Sequence, residues 1–249
     1  MQISAYTDTG RVRSTNQDYI YASQQKTGPL PNLLLLADGM GGANAGDYAS
    51  RFLVEKLVAY MNRQPDGEPE ISILNKGISE VNRRLYNESL KDPALRGMGT
   101  TMVAATVSDG VLYVANVGDS RLYLIHDGSI RQITRDHSYV EEMVAMGMMQ
   151  RGSADYNRKK NIITRAAGIR PDIVPDFFEE ELERGDYILL CSDGLSNMVD
   201  NDTLCSIILS EGSLKEKAQR LIAEANERGG TDNIAVVLVK PEEGGMGSC

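Results

Sequence analysis

Four apolar runs in this chain each end or begin at an aspartate. Leu33 to Ala37 leads to Asp38, Val111 to Gly118 leads to Asp119, Tyr187 to Ser192 leads to Asp193, and Asp232 precedes Asn233 to Val239. Apolar runs this short, bounded by polar residues, predict buried strands. If those strands share a sheet edge, the carboxylates meet in one place. Carboxylates packed that closely repel strongly at low dielectric, so positive charge has to hold them together. Ligands that are all oxygen suit Mg²⁺ or Mn²⁺.

The rest of the pattern places the aspartates in a fold. Strands are expected at Gln2–Thr7, Asp18–Ser23 and Asn32–Ala37, the third ending at Asp38. Ala49, Phe52, Leu53, Leu57 and Tyr60 then recur at helical spacing, which predicts an amphipathic helix from about Ala45 to Asn62. The segment Pro65 to Pro69 breaks it, and Ile71, Leu74, Ile78, Val81 and Leu85 form the stripe of a second helix. Two hairpins follow. Thr100–Ser108 and Val111–Val117 flank Asp109-Gly110, and Arg121–His126 and Ser129–Thr134 flank Asp127-Gly128. An Asp-Gly pair is a strong hairpin signal because both turn residues need positive φ. A helix near Tyr139–Met146 leads into Met148–Lys160, which is polar and weakly periodic and reads as a mobile loop or flap. Strands at Ile173–Glu179 and Asp186–Cys191, a late helix through Leu214, Ala218, Leu221, Ile222 and Ala225, and a last strand at Asn233–Val239 complete the order. Strands and helices do not alternate throughout. That predicts an α+β fold of mostly antiparallel sheets with helices on the outer faces. No internal repeat or domain boundary is visible, so one domain over 1–240 with a frayed tail over 241–249 is expected.

Composition excludes several functions. The chain has 249 residues, 41% hydrophobic and 24% charged, the balance of a globular protein with a sizeable core. A net charge of −9 argues against a nucleic-acid partner, and Arg158-Lys159-Lys160 is short enough to be a solvated loop. Three cysteines and two histidines argue against a disulfide framework and against zinc. The start has no apolar core of a signal peptide, and no run is long enough for a membrane helix, so a cytoplasmic protein is expected.

Asp-Gly occurs five times, at 38, 66, 109, 127 and 193. Two of these are hairpin turns and Asp66-Gly67 lies in a linker. Asp38-Gly39 and Asp193-Gly194 differ, because each follows an apolar strand and runs toward a helix. A carboxylate at a strand end, beside a glycine whose backbone lets a ligand come close, suits a metal centre.

Seven motifs then stand in an informative order: Arg13-Ser14-Thr15-Asn16-Gln17-Asp18, Ala37-Asp38-Gly39-Met40-Gly41-Gly42, Gly99-Thr100-Thr101, Val117-Gly118-Asp119-Ser120-Arg121, Asp136-His137-Ser138, Ser192-Asp193-Gly194-Leu195 and Gly230-Thr231-Asp232-Asn233. In this order they resemble the metal-dependent, type 2C serine/threonine protein phosphatases, most closely the compact bacterial branch. The resemblance spans about Met1 to Lys240. It implies a four-layer α-β-β-α sandwich, two antiparallel sheets flanked by helix pairs, with a flap at about 147–165. It also implies two Mn²⁺ or Mg²⁺ ions, often joined by a third, and direct attack on the phosphoester by a water held between the two. By that resemblance Asp38 bridges the core metals, Asp193 and Asp232 bind one of them, and the Gly39 carbonyl binds the other. Asp119 with Asp193 holds the third metal, Asp18 acts through water, Arg13 clamps phosphate, and Thr100 and Asn233 support the ligands. On residues alone Arg11 is as good a phosphate clamp as Arg13.

Departures from the wider family are also visible. Met40 stands where eukaryotic members carry a histidine proposed to protonate the leaving oxygen, which leaves a metal-bound water as the candidate acid. Gln17 replaces a glutamate ligand, and Ala43 stands where bacterial members commonly carry histidine. His137 reads as structural. The implied partners are phosphorylated proteins, including a serine/threonine kinase, met by a monomer. Two competitors are a phosphatase-like binding or sensor module without activity, and an aspartyl-nucleophile phosphatase at Asp200-Asn201-Asp202. The first is disfavoured by the presence of all three core aspartates. The second is disfavoured because Asp200 follows no apolar strand and reads better as a helix start.

Overall fold

The computed structural model describes residues 1–41 and 45–241; Ala43 and the tail from residue 242 lie outside the described residues. Its strands are β1 (Gln2–Asp8), β2 (Asp18–Ser23), β3 (Leu33–Met40), β4 (Gly99–Thr100), β5 (Met102–Ser108), β6 (Val111–Val117), β7 (Arg121–His126), β8 (Ser129–Gln132), β9 (Asp176–Glu181), β10 (Tyr187–Cys191) and β11 (Ile234–Lys240). Its helices are α1 (Ala45–Met61), α2 (Glu70–Lys91), α3 (Tyr139–Ala145), α4 (Ala154–Lys159), α5 (Asp193–Ser196), α6 (Asn201–Leu209) and α7 (Leu214–Glu227).

One sheet runs β1-β11-β10-β7-β8, and the other runs β2-β3-β5-β6-β9 with β4 beside β3. The pairings among these strands are antiparallel. Alternation along each strand builds three apolar layers. On β3, Leu34 and Leu36 face the first sheet, where they meet Leu122, Leu190 and Val237. Leu33, Leu35 and Ala37 face the other way, onto Leu53, Leu57, Leu74 and Ile78 of α1 and α2. The outer face of the first sheet, with Leu189, Val236 and Leu238, is covered by Leu204 and Ile208 of α6 and Leu221 of α7. The result is the α-β-β-α sandwich that the family resemblance implies.

The hairpin turns follow their local chemistry. Asp109 and Gly110 have φ of 50° and 80°, and Asp127 and Gly128 have 43° and 77°. Asp200 caps α6, its side chain accepting from Thr203 N at 2.9 Å, which settles Asp200 as a helix start.

Several expected elements differ in their bounds, and the strand expected over Thr100–Ser108 is split into β4 and β5. β3 does not stop at Asp38, because Gly39 and Met40 find partners in Thr100 and Gly99. The last strand before β10 begins at Asp176 rather than Ile173. Its pairing with β6 stops at Asn116 opposite Asp176, while Ile173 packs against the core that α2 covers. Within the segment read as a mobile loop or flap lies one short helix, α4, which Ser153 starts by accepting from Tyr156 N at 3.2 Å.

Antiparallel order decides where the chemistry lies. β2 begins, β3 ends, β6 ends, β10 ends and β11 begins at the same end of the sandwich, because each pair runs in opposite directions.

Candidate active site

Asp18 and Asp38 are direct cross-strand partners on β2 and β3, a placement that sets two carboxylates side by side. The backbone of Asp38 is held on both sides. Its N–H donates to Thr101 Oγ1 at 3.0 Å, and its carbonyl accepts from Thr101 N and Thr100 Oγ1, each at 2.9 Å. Thr101 Oγ1 in turn meets Ser120 Oγ at 2.6 Å, beside the turn that carries Asp119. Asp193 opens α5, and Asp232 stands before β11.

These carboxylates feel one another. Burial pushes Asp18 up to about 8, with the charges of Asp193 and Asp232 adding to it and the Ser192 hydroxyl opposing it. Burial and then Asp193 push Asp119 up to about 7. Burial, Asp18 and Asp193 drive Asp38 well above the usual carboxylate range, and burial and Asp232 raise Asp193. Asp18 Oδ1 and Asp119 Oδ1 are buried without a hydrogen-bond donor. Among the described residues, no group of three or more His, Cys, Asp or Glu side chains stands positioned to hold a metal ion as it is. The cluster is instead a set of mutually repelling, oxygen-only groups whose ionised form calls for cations.

Arg13 supplies positive charge at the rim. Its Nη2 donates to Asp232 Oδ2 at 2.7 Å, and this bond and charge raise its own pKa. Arg11 is occupied differently, its backbone N–H donating to Gly230 O at 2.7 Å. Asn233 explains how the Arg13 loop is held. Its Nδ2 donates to Thr9 O and Thr15 O, each at 2.9 Å, and its Oδ1 accepts from Gln17 N at 2.9 Å. Thr100 and Asn233 thus touch backbone around the cluster, at Asp38 and at the Arg13 loop.

The two glycines beside the aspartates are also required by packing. A Cβ at Gly39 would lie 2.0 Å from Gly46 O on α1, and a Cβ at Gly194 would lie 1.9 Å from Asn233 O. Neighbouring backbone makes a close approach at each.

His137 is held in a structural position. Its Nδ1 accepts from Gly118 N at 3.0 Å, so Nε2 carries the proton and faces Asp176 Oδ2 at 3.2 Å. Burial lowers its pKa, consistent with a neutral ring that braces the turn before Asp119.

Three site residues were given no role by sequence reasoning. Ser192 Oγ donates to Asp18 Oδ2 at 2.7 Å across 174 residues. Asn197 Nδ2 donates to Asp193 Oδ2 at 2.9 Å. Lys160, expected in a solvated loop, instead lines a cavity of about 170 Å³ with Asp119, Arg121, Asp136, Asp193 and Asn197. Only Ser192 had a signal, its place in the Ser-Asp-Gly motif.

The chain is similar to several known proteins over nearly its whole length. Protein phosphatase PhpP of Streptococcus pneumoniae serotype 2 is 39% identical over 244 residues, covering 98% of each chain. Serine/threonine phosphatase stp of Listeria welshimeri serovar 6b is 41% identical over 239 residues, covering 94% of this chain and 93% of its own. The solved S. agalactiae serine/threonine phosphatase superposes with a TM-score of 0.90 at 38% identity, covering 97% of this chain and 99% of that one. The catalytic domain of the phosphatase PstP, solved in complex with two manganese ions, superposes with a TM-score of 0.82 at 34% identity, covering 95% and 96%. Residues 10–238 match the profile of the protein phosphatase 2C family, and the chain belongs to that family.

Proposed function

We propose that this protein is a metal-dependent serine/threonine phosphatase that removes phosphate from phosphoserine and phosphothreonine in other proteins. The observation that carries this reading is the convergence of Asp18, Asp38, Asp119, Asp193 and Asp232 at one end of the sandwich, with Arg13 at its rim. The donor-less buried oxygens of Asp18 and Asp119 and the all-oxygen donor set fit hard divalent cations.

Asp38, Asp193, Asp232 and the Gly39 carbonyl would hold two Mn²⁺ or Mg²⁺ ions. Asp119 with Asp193 would hold a third, and Asp18 would act through water. When bound, such ions supply a nucleophilic water near neutral pH and offset charge on the phosphoryl oxygens. Arg13 uses one N–H on Asp232, and its planar fork keeps further donors for the phosphate. Asp232 thereby orients the clamp that receives the substrate. The Thr100 and Thr101 bonds fix Asp38, so the site is built before substrate arrives. Met40 has no proton to give, and the leaving oxygen takes its proton from water.

The names of the relatives support phosphoprotein substrates. A serine/threonine kinase among those substrates, a monomeric state and a cytoplasmic location are part of the same proposal. Among the described residues no helix is long and apolar enough to cross a membrane. The test is phosphate release from a phosphothreonine peptide with Mn²⁺, with Mg²⁺ and with EDTA, using Asp193→Asn as control. Metal-dependent release that the control lacks is expected. Absence of release from folded protein under every condition would leave a binding module.

A further inference from the structure

The flap reaches the carboxylate cluster through a directed chain of side chains. Lys160 follows the last residue of α4, and its Nζ donates to Asn197 Oδ1 at 2.7 Å. Asn197 Nδ2 donates to Asp193 Oδ2 at 2.9 Å. Asn197 N also donates to the Asp193 carbonyl at 2.8 Å, so the residue is tied to the start of α5 by backbone and side chain together. The two neighbours set which way the amide points. Turned over, it would place N–H groups against an ammonium and an oxygen against a carboxylate.

Lys160 is the C-cap of α4, and α4 is anchored to α3. Tyr156, on α4, donates to Glu141 Oε1 at 2.7 Å, and Arg151 Nε reaches the same oxygen at 3.1 Å. Lys160 and Asn197 both line the cavity that opens onto Asp119 and Asp193. A shift of α4 would therefore remove the Lys160 partner from Asn197 and free the amide to turn.

We infer that Asn197 is a positioning residue that holds the Asp193 carboxylate in one orientation and, through Lys160, makes that orientation depend on where the flap sits. With the flap docked, Asp193 Oδ2 has one acceptor direction committed to Asn197 and the remaining ones turned toward the cluster. With the flap displaced, Asp193 loses its brace. Metal affinity and flap position are then linked in both directions, so a bound ion favours the docked flap as much as the docked flap favours the ion. The inference rests on the reading of Asp193 as a metal ligand.

The experiment is calorimetric titration of Mn²⁺ into the full chain as wild type, Asp193→Asn, Asn197→Ala, Lys160→Met, Lys160→Arg and the Asn197→Ala/Lys160→Met double variant. Melting in EDTA checks that each variant is folded. If the alanine variant melts early, Asn197→Leu, which keeps the volume, carries the same expectation. Asn197→Ala weakens Mn²⁺ affinity about 10-fold, the usual scale for a group that braces a ligand. Lys160→Met weakens it about 3-fold, the scale of one modest hydrogen bond, and Lys160→Arg restores it. The double variant is no weaker than Asn197→Ala, because Lys160 acts through the amide. Additive losses would show Lys160 acting on Asp193 directly by charge and would overturn the relay. Unchanged affinity in Asn197→Ala, while Asp193→Asn abolishes binding, would overturn the positioning role alone. Full binding by Asp193→Asn would overturn the metal-ligand reading beneath it.

Discussion

Replacing Asp18 by asparagine should stabilise the chelated protein and weaken the metal-bound one. Asp18 is 5% exposed, with Oδ2 bonded to Ser192 Oγ and Oδ1 lacking a donor. An asparagine keeps the oxygen for Ser192 and turns an N–H group toward Asp38, the carboxyl with which Asp18 interacts. The folded-state pKa of about 8 lies above the ordinary value of about 4. Between those values the folded chain binds more protons than the unfolded chain. Stability from this group is therefore complete below about pH 4 and lost as pH rises toward 8, by up to about 1.4 kcal/mol per pH unit. From pH 5.5 to 8 the ceiling is about 3 kcal/mol, and sharing of protons with Asp38 reduces it to about 2 kcal/mol. For a chain of this size that is a gain of about 4–8 °C in melting temperature. The assay is thermal melting of wild type and Asp18→Asn in EDTA at pH 5.5 and 8, repeated with Mn²⁺. The variant should melt higher than wild type at pH 8 in EDTA, by a smaller margin at pH 5.5, and gain less from Mn²⁺. A margin that does not grow with pH, or a variant that melts lower in EDTA at pH 8, would refute the electrostatic account.

Asp119→Ala should lower turnover while the two core ions stay bound, measured by metal content of the folded variant; loss of both ions would overturn its assignment. Arg13→Ala should lower kcat/KM about 10- to 100-fold, the worth of a charged hydrogen bond to phosphate, with Arg13→Lys recovering only part of it in steady-state assays. Gly194→Ala should cost about 3 kcal/mol or more in urea unfolding, because its Cβ would meet Asn233 O at 1.9 Å and backbone on both sides would have to move.

Local chemistry made much of the architecture legible. The Asp109-Gly110 and Asp127-Gly128 turns adopt the positive φ that their residues favour. The alternating leucines of β3 divide between two apolar layers as a two-residue period requires. Asp200 caps the helix that follows it. The ordered motifs pointed to the family, because residue types and order are properties of the chain itself.

Contacts across long separations belong to the tertiary structure. Arg11 and Arg13 are equivalent as residues, yet only Arg13 reaches Asp232, because Asn233 and Gly230 pin the intervening loop. The packing of Gly46 and Asn233 backbone against Gly39 and Gly194 requires glycine there, a demand the sequence does not show. Ser192, Asn197 and Lys160 acquire their roles from partners brought near by sheet pairing and by the docking of α4. Periodicity and spacing report which face of an element a residue occupies. They carry no record of which distant side chain faces it, and the electrostatics of a buried carboxylate depends on that distance and that partner.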